Sequence, residues 1–224
     1  MINIQDQQNL LIKIARKISR PVTTYAIGGT AMMFWGLKDS TVDIDLVFTQ
    51  ESERKEFKRA AKSLGHPDMD STIVYGKREN IPEMIQLPEA RIDLFLNDVI
   101  NFRFSENMQA RAKEIHQFDI NLFIKPADIH DIMLMKCATN RLKDELDILA
   151  IIKNSKIDWK ILVQEAQHQL SLGKEQAILS LGTLLESLKD KNKAEVPQSV
   201  LDELWNILKK QVESRKQVKD KTRK

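Results

Sequence analysis

The sequence predicts a two-part chain: an α/β head with a mixed sheet over residues 1–125, then an all-α helical domain with a basic tail over residues 126–224. Three observations predict it. Short β-branched or alternating runs recur in the first half, at 23–27, 42–48 and 91–96. The pattern changes at Pro126, after which apolar residues recur at helical spacing in five successive segments. The 224 residues suffice to bury a real core, and 42% apolar with 30% charged residues is ordinary for a water-soluble chain.

In order, residues 5–19 place Leu10, Leu11, Ile14, Ala15 and Ile18 on one helical face, and Pro21 ends that helix. A strand is expected over 23–27. Gly28 and Gly29 then turn the chain, since glycine accepts backbone angles and close approaches that a Cβ forbids. An apolar helix follows over 30–37, and its first N–H groups behind the glycines suit an anion. In the next strand, 42–48, alternation sets Val42, Ile44 and Leu46 on one face and Asp43 and Asp45 on the other. Two carboxylates about 7 Å apart on one strand face suit a hard cation such as Mg²⁺.

Residues 51–64 read as an exposed amphipathic helix stopped by Gly65. Residues 71–75 read as a strand, 77–88 as polar and irregular, and 91–96 as a strand that sets Asp93 opposite Ile92 and Leu94. A further strand is expected at 120–124 and another between 110 and 118. Helices are expected over 128–140, 143–152, 159–170, 174–188 and 199–216.

Gly28-Gly29, thirteen residues, then Asp43-Ile44-Asp45-Leu46 resembles the signature of the polymerase-β-type nucleotidyltransferases. The local flavour, GGTA followed by KDSTVDID, resembles the minimal, AbiEii-like toxin branch, and the likeness extends over roughly 22–152. The resemblance implies a nucleotidyltransferase head that moves a nucleoside monophosphate from an NTP to a hydroxyl and releases pyrophosphate. It implies that Asp43, Asp45 and Asp93 bind Mg²⁺, two ions in all, with Asp93 helping to deprotonate the attacking hydroxyl. Gly28, Gly29 and Thr30 would hold the phosphates.

The run IKPADIHDIMLMKCATNRLKDELDILAII resembles the region where that branch carries a lysine, an arginine and a D-x-x-D pair, here Lys136, Arg141, Asp144 and Asp147. The resemblance gives them to the nucleotide. Lys136, Asn140 and Asp147 share a face if one helix runs through them. Asp147 lies in an apolar context where a carboxylate needs a partner. A structural pairing with Arg141 and Lys143 is the plainer reading of Asp144 and Asp147, and a surface lysine that of Lys136. With Lys136 on the nucleotide, as the resemblance implies, Lys136→Met should leave melting nearly unchanged while weakening nucleotide binding and slowing transfer at least about tenfold. Lys38 stands where the family carries arginine, keeping charge but losing the planar fork.

The acceptor implied is RNA, such as a tRNA end, or a protein hydroxyl in a toxin–antitoxin setting with a cognate antitoxin protein. A small-molecule, antibiotic-type acceptor and a degenerate nucleotide- or partner-binding module remain open. The last sixteen residues hold eight basic and two acidic side chains, a balance of +6, leaving −3 for the rest of a chain whose net charge is +3. Such a tail reads as a solvated helix end, or more sharply as an RNA-phosphate contact. Cys137 is the single cysteine, which excludes an intrachain disulfide. No apolar run spans a bilayer and the N-terminus lacks a signal-peptide pattern, so a cytoplasmic protein without membrane partners is expected. His66, His116, His130 and His168 show no metal-ligand spacing.

Overall fold

A computed structural model describes residues 1–88, 90–137, 141–191 and 193–221, with side chains described up to residue 215. The chain divides into two compact units, Met1–Ile132 and Met133–Lys224.

The first unit begins with β1 (Ile2–Asn3) and α1 (Ile4–Ala15), which Asn3 caps by accepting from the Asp6 N–H at 2.9 Å. Then come β2 (Val22–Ala26), α2 (Gly28–Phe34), β3 (Ser40–Thr41), β4 (Asp43–Phe48) and α3 (Glu51–Lys62). They are followed by β5 (Asp68–Met69), α4 (Thr72–Tyr75), β6 (Glu83–Gln86), β7 (Arg91–Leu96), β8 (Asp98–Val99) and β9 (Phe102–Arg103). The unit closes with α5 (Glu106–Arg111), β10 (His116–Phe118), β11 (Leu122–Pro126) and the start of α6 (Ile129–Cys137).

The main sheet runs β10-β11-β2-β4-β7-β6-β5, with β8 and β9 off β7. It is mixed: β11 lies parallel to β2 and β4 parallel to β7, while β2–β4, β6–β7 and β5–β6 are antiparallel. The central strand β4 is the one the site depends on. Ile44, Leu46 and Phe48 are fully buried on one face, where Phe48 meets Phe57 of α3 with ring centroids 5.6 Å apart. The opposite face carries Asp43 and Asp45. Strand period two makes this division unavoidable once the apolar face is committed to the core.

Several local expectations are corrected. The run 71–75 is a short helix, not a strand. Asp70 accepts from the Thr72 N–H and hydroxyl at 2.9 and 2.8 Å, starting a helical turn that local β propensity alone would not. Ile73 and Val74 stay exposed there, with no sheet neighbour to cover them. The polar stretch 77–88 contains β6, held by antiparallel pairing to β7 and the burial of Met84 and Ile85. Between 105 and 118 the chain first forms α5, capped by Ser105, whose hydroxyl accepts from the Met108 N–H at 3.1 Å. It then pairs as β10, turning into β11 through Asp119 at φ +54°.

The second unit takes the end of α6, then α7 (Leu142–Asn154), α8 (Trp159–Ser171), α9 (Gln176–Asp190) and α10 (Gln198–Lys221). Gly173, at φ +79°, closes α8. Leu162, Ala166, Ile178, Leu181, Leu185 and Leu204 form its apolar interior. Of the helix expected over 128–140, Ile129–Cys137 is seen as α6, and residues 138–140 lie outside the described residues. Because α7 starts afresh after Arg141 in an extended conformation, Lys136 and Asp147 do not share one helix. Among the described residues no helix is long and apolar enough to cross a membrane.

Candidate active site

The site is built where two parallel strands run side by side. In the β4–β7 register Asp45 stands opposite Asp93 and Asp43 opposite Arg91. Partners in register project to the same face, so the three carboxylates converge. One oxygen from each of Asp43, Asp45 and Asp93 lies within 4.8 Å of the others. Asp43 and Asp93 are buried, and Asp45 is half-buried.

Two side chains hold this cluster that the sequence reading did not single out. Arg91 donates to Asp43 Oδ2 at 2.5 Å and, through Nε, to Asp93 Oδ1 at 2.9 Å. Tyr75, from α4, donates its hydroxyl to Asp93 Oδ2 at 2.5 Å. An arginine two residues before the third aspartate on an expected strand was the available signal for Arg91, since i and i+2 share a face. Nothing local marked Tyr75.

The charges explain the titration behaviour. Burial pushes the Asp93 carboxyl up, with Arg91 and the Tyr75 bond opposing it. Burial, then the charges of Asp45 and Asp93, pushes the Tyr75 phenol up, so it stands as a neutral donor. Burial disfavours the Arg91 charge, but Asp93 and Asp43 outweigh it and raise that group further. Three carboxylates converge on a partly buried face, which suits a divalent cation.

The glycine turn is sterically tied to the same cluster. Gly28 has φ +56°, and a Cβ there would meet Asp45 Oδ2 at 2.7 Å. At Gly29 a Cβ would meet Thr41 Oγ1 at 2.6 Å and would lie 4.0 Å from Lys38 Cδ. Thr41 in turn donates to Asp43 Oδ1 at 3.2 Å. Thr30 is fully buried; its hydroxyl accepts from the Asp45 N–H at 2.9 Å and reaches the Asp43 carbonyl at 3.4 Å. It fixes the backbone beneath the two aspartates instead of facing outward. The donor set therefore fits a hard cation: three carboxylates converge, and bare glycine backbone leaves room beside them.

The helical unit brings together the other four candidates. Lys136 is buried and donates to Asp144 Oδ1 at 3.0 Å and Asp147 Oδ2 at 2.5 Å. Arg141 Nε reaches Asp144 Oδ2 at 2.6 Å while its side chain stays 59% exposed. Lys136, Arg141 and Asp144 line a cavity of about 270 Å³ together with Cys137, Leu142, Glu145 and Leu184. The surface-lysine reading of Lys136 is thus replaced by a buried ion cluster tying α6 to α7. Burial raises the Cys137 thiol well above its ordinary value, so it is packed and inert.

Fold and site together define an α/β protein with a carboxylate triad beside a glycine turn. No protein-family model matches the chain, and no curated protein matches its sequence. Among solved structures it is similar to the antibiotic-resistance factor ANT(2'')-Ia in solution, at 13% identity and TM-score 0.45, covering 84% of this chain and 96% of that one. It is similar to crystalline ANT(2'')-Ia with adenylyl-2''-tobramycin at 16% identity and TM-score 0.45, covering 81% and 98%. It is also similar to an H. pylori protein described as a nucleotidyltransferase, at 14% identity and TM-score 0.44, covering 92% and 94%. Likeness this distant does not bear on the chemistry, which rests on the residues themselves.

Proposed function

We propose that the protein is a metal-dependent nucleotidyltransferase that moves a nucleoside monophosphate from an NTP to a hydroxyl acceptor, releasing pyrophosphate. The observation that carries this reading is the convergence of Asp43, Asp45 and Asp93 within 4.8 Å beside a turn whose glycines cannot take a Cβ. Asp43, Asp45 and Asp93 would hold Mg²⁺. Bound there, such ions would neutralise triphosphate charge and stabilise the departing pyrophosphate.

The chain's own groups do the rest. Asp93 accepts the proton of the attacking hydroxyl, for which its place in the triad suits it. Arg91 keeps Asp43 and Asp93 in place and offsets their mutual repulsion. The first backbone N–H groups of α2 at Gly28 and Gly29 have no partner inside that helix and would meet phosphate oxygens. Thr30 supports them by anchoring β4. Lys38, next to Gly29, would add positive charge at the phosphates. Within the Lys136–Asp144–Asp147 cluster, Arg141 is the cation with wide solvent access, and we assign any phosphate contact of that cluster to it. Lys136, Asp144 and Asp147 would then support Arg141.

The AbiEii-like resemblance favours an RNA or protein acceptor and a toxin–antitoxin setting with a cognate antitoxin. The test is incubation of the full chain with each α-labelled NTP and Mg²⁺, offering total tRNA, protein and aminoglycosides in parallel. Pyrophosphate release and a labelled acceptor are expected with wild type and absent with Asp45→Asn. Label on an aminoglycoside alone would give the acceptor as a small molecule. No release with any acceptor, despite Mg²⁺–NTP binding, would make this a nucleotide-binding module.

A further inference from the structure

We propose that the protein nucleotidylates its own Tyr75, an inference that rests on the transferase reading above. The Tyr75 hydroxyl donates to Asp93 Oδ2 at 2.5 Å. Asp93 is the carboxylate that would take the proton from an acceptor hydroxyl. A hydroxyl already hydrogen-bonded to that base occupies the place an acceptor must reach. The hydroxyls of Thr30 and Thr41, which also lie beside the triad, do not qualify. Thr30 is fully buried and bonded to the backbone of β4, and Thr41 is 3% exposed and packed where Gly29 would carry a Cβ.

Tyr75 differs in how it is carried. It ends α4, a one-turn surface helix with Thr72, Ile73 and Val74 exposed, and Gly76 at φ +64° follows it. The ring is only partly covered, meeting Phe95 edge-on with centroids 6.2 Å apart. The chain thus places a long-reaching, partly exposed phenol against the base from outside the sheet. A triphosphate beside the triad would bring its α-phosphorus to this oxygen.

The step balances. The Tyr75 oxygen attacks the α-phosphorus and its proton passes to Asp93. The bond between the α-phosphorus and the bridging oxygen to the β-phosphorus breaks, and pyrophosphate leaves with that electron pair. The product is a tyrosyl phosphodiester carrying one nucleoside monophosphate.

The experiment uses the purified full chain with Mg²⁺ and each NTP in turn, without added acceptor, followed by intact mass and peptide mapping. The expected result is a gain of one nucleoside monophosphate, mapped to Tyr75, at a first-order rate unchanged by dilution of the protein. Tyr75→Phe, shown to be folded by its melt, should lose the label. So should Asp93→Asn, which keeps the phenol. Peptide mapping on wild type decides the matter even if either variant fails to fold. Unmodified protein that transfers the nucleoside monophosphate to an added acceptor, with release of pyrophosphate, would overturn the self-modification and leave the transferase standing. Label on another residue would overturn the assignment to Tyr75. No pyrophosphate under any condition would remove both.

Discussion

Replacing Lys136 with methionine tests the helical cluster. The change keeps the aliphatic stem and helix propensity and deletes the ammonium. At an effective dielectric of about 20, an ammonium–carboxylate contact of this length is worth roughly 5–7 kcal/mol of gross attraction, and Lys136 makes two, at 3.0 and 2.5 Å. Desolvation of three buried charges takes most of that back. Removing the cation does not restore it, because Asp144 and Asp147 are 1% and 8% exposed and a buried charge stripped of its partner costs about 3–5 kcal/mol. Arg141 stays on Asp144, which argues for the lower end, about 3 kcal/mol. For a chain of this size that corresponds to a melting shift of about 6–12 °C. The assay is a thermal melt with a urea titration alongside. Lys136→Met with Asp147→Asn should recover at least about 1 kcal/mol, since the amide removes the stranded charge. Arg141→Met, at a half-exposed pair, should cost no more than about 1 kcal/mol. A Lys136→Met melt within about 2 °C of wild type would refute the buried-cluster argument and restore the surface reading.

Asp45→Asn or Asp43→Asn should abolish transfer and Mg²⁺ binding while the melt holds or rises, measured by isothermal titration and differential scanning calorimetry, because crowded like charges are relieved. Gly28→Ala forces a Cβ into 2.7 Å contact with Asp45 Oδ2 at φ +56°; stability should fall by about 1–2 kcal/mol, and metal binding by titration should disappear with it. Glu56 takes hydrogen bonds from Arg59 and from the Ser19 N–H and hydroxyl, and the Arg59 bond above all lowers its carboxyl from 4.5 to about 2. Its stabilisation is therefore full above about pH 4.5 and disappears as pH falls toward 2. Glu56→Gln should cost about 2 kcal/mol at neutral pH, discounted for the half-exposed Arg59, and the gap to wild type should close in acid urea titrations. Truncation after Arg215 keeps the Arg215–Glu175 pair and removes Lys216, Lys219, Lys221, Arg223 and Lys224. If the tail meets RNA, the log–log salt slope of RNA binding should fall by about 0.7–0.9 for every phosphate the tail had neutralised; an unchanged slope would make the tail a solvated end.

Local pattern was enough to specify the mixed α/β head, the helices that follow, and three of the side chains that meet at its centre. Helix and strand periods are local properties, and the expected helices over 159–170 and 174–188 lie within two residues of α8 and α9 at every boundary. Gly28, Asp43 and Asp45 were legible because turn and strand sit within one short stretch of chain. Asp93 followed from the same alternation on a second strand. Features that depend on distant segments needed the three-dimensional arrangement. β6 exists because β7 offers it an edge, which no property of 77–88 announces. Tyr75 and Arg91 join the triad through the β4–β7 register and the fold-back of α4, contacts made across 18 and 48 residues of sequence. Lys136 stood between a nucleotide ligand and a surface lysine because spacing cannot tell a solvated stem from one enclosed by distant segments. The break between α6 and α7 turns Asp144 and Asp147 back onto Lys136 and so places it inside: burial depends on which distant segments close over a side chain.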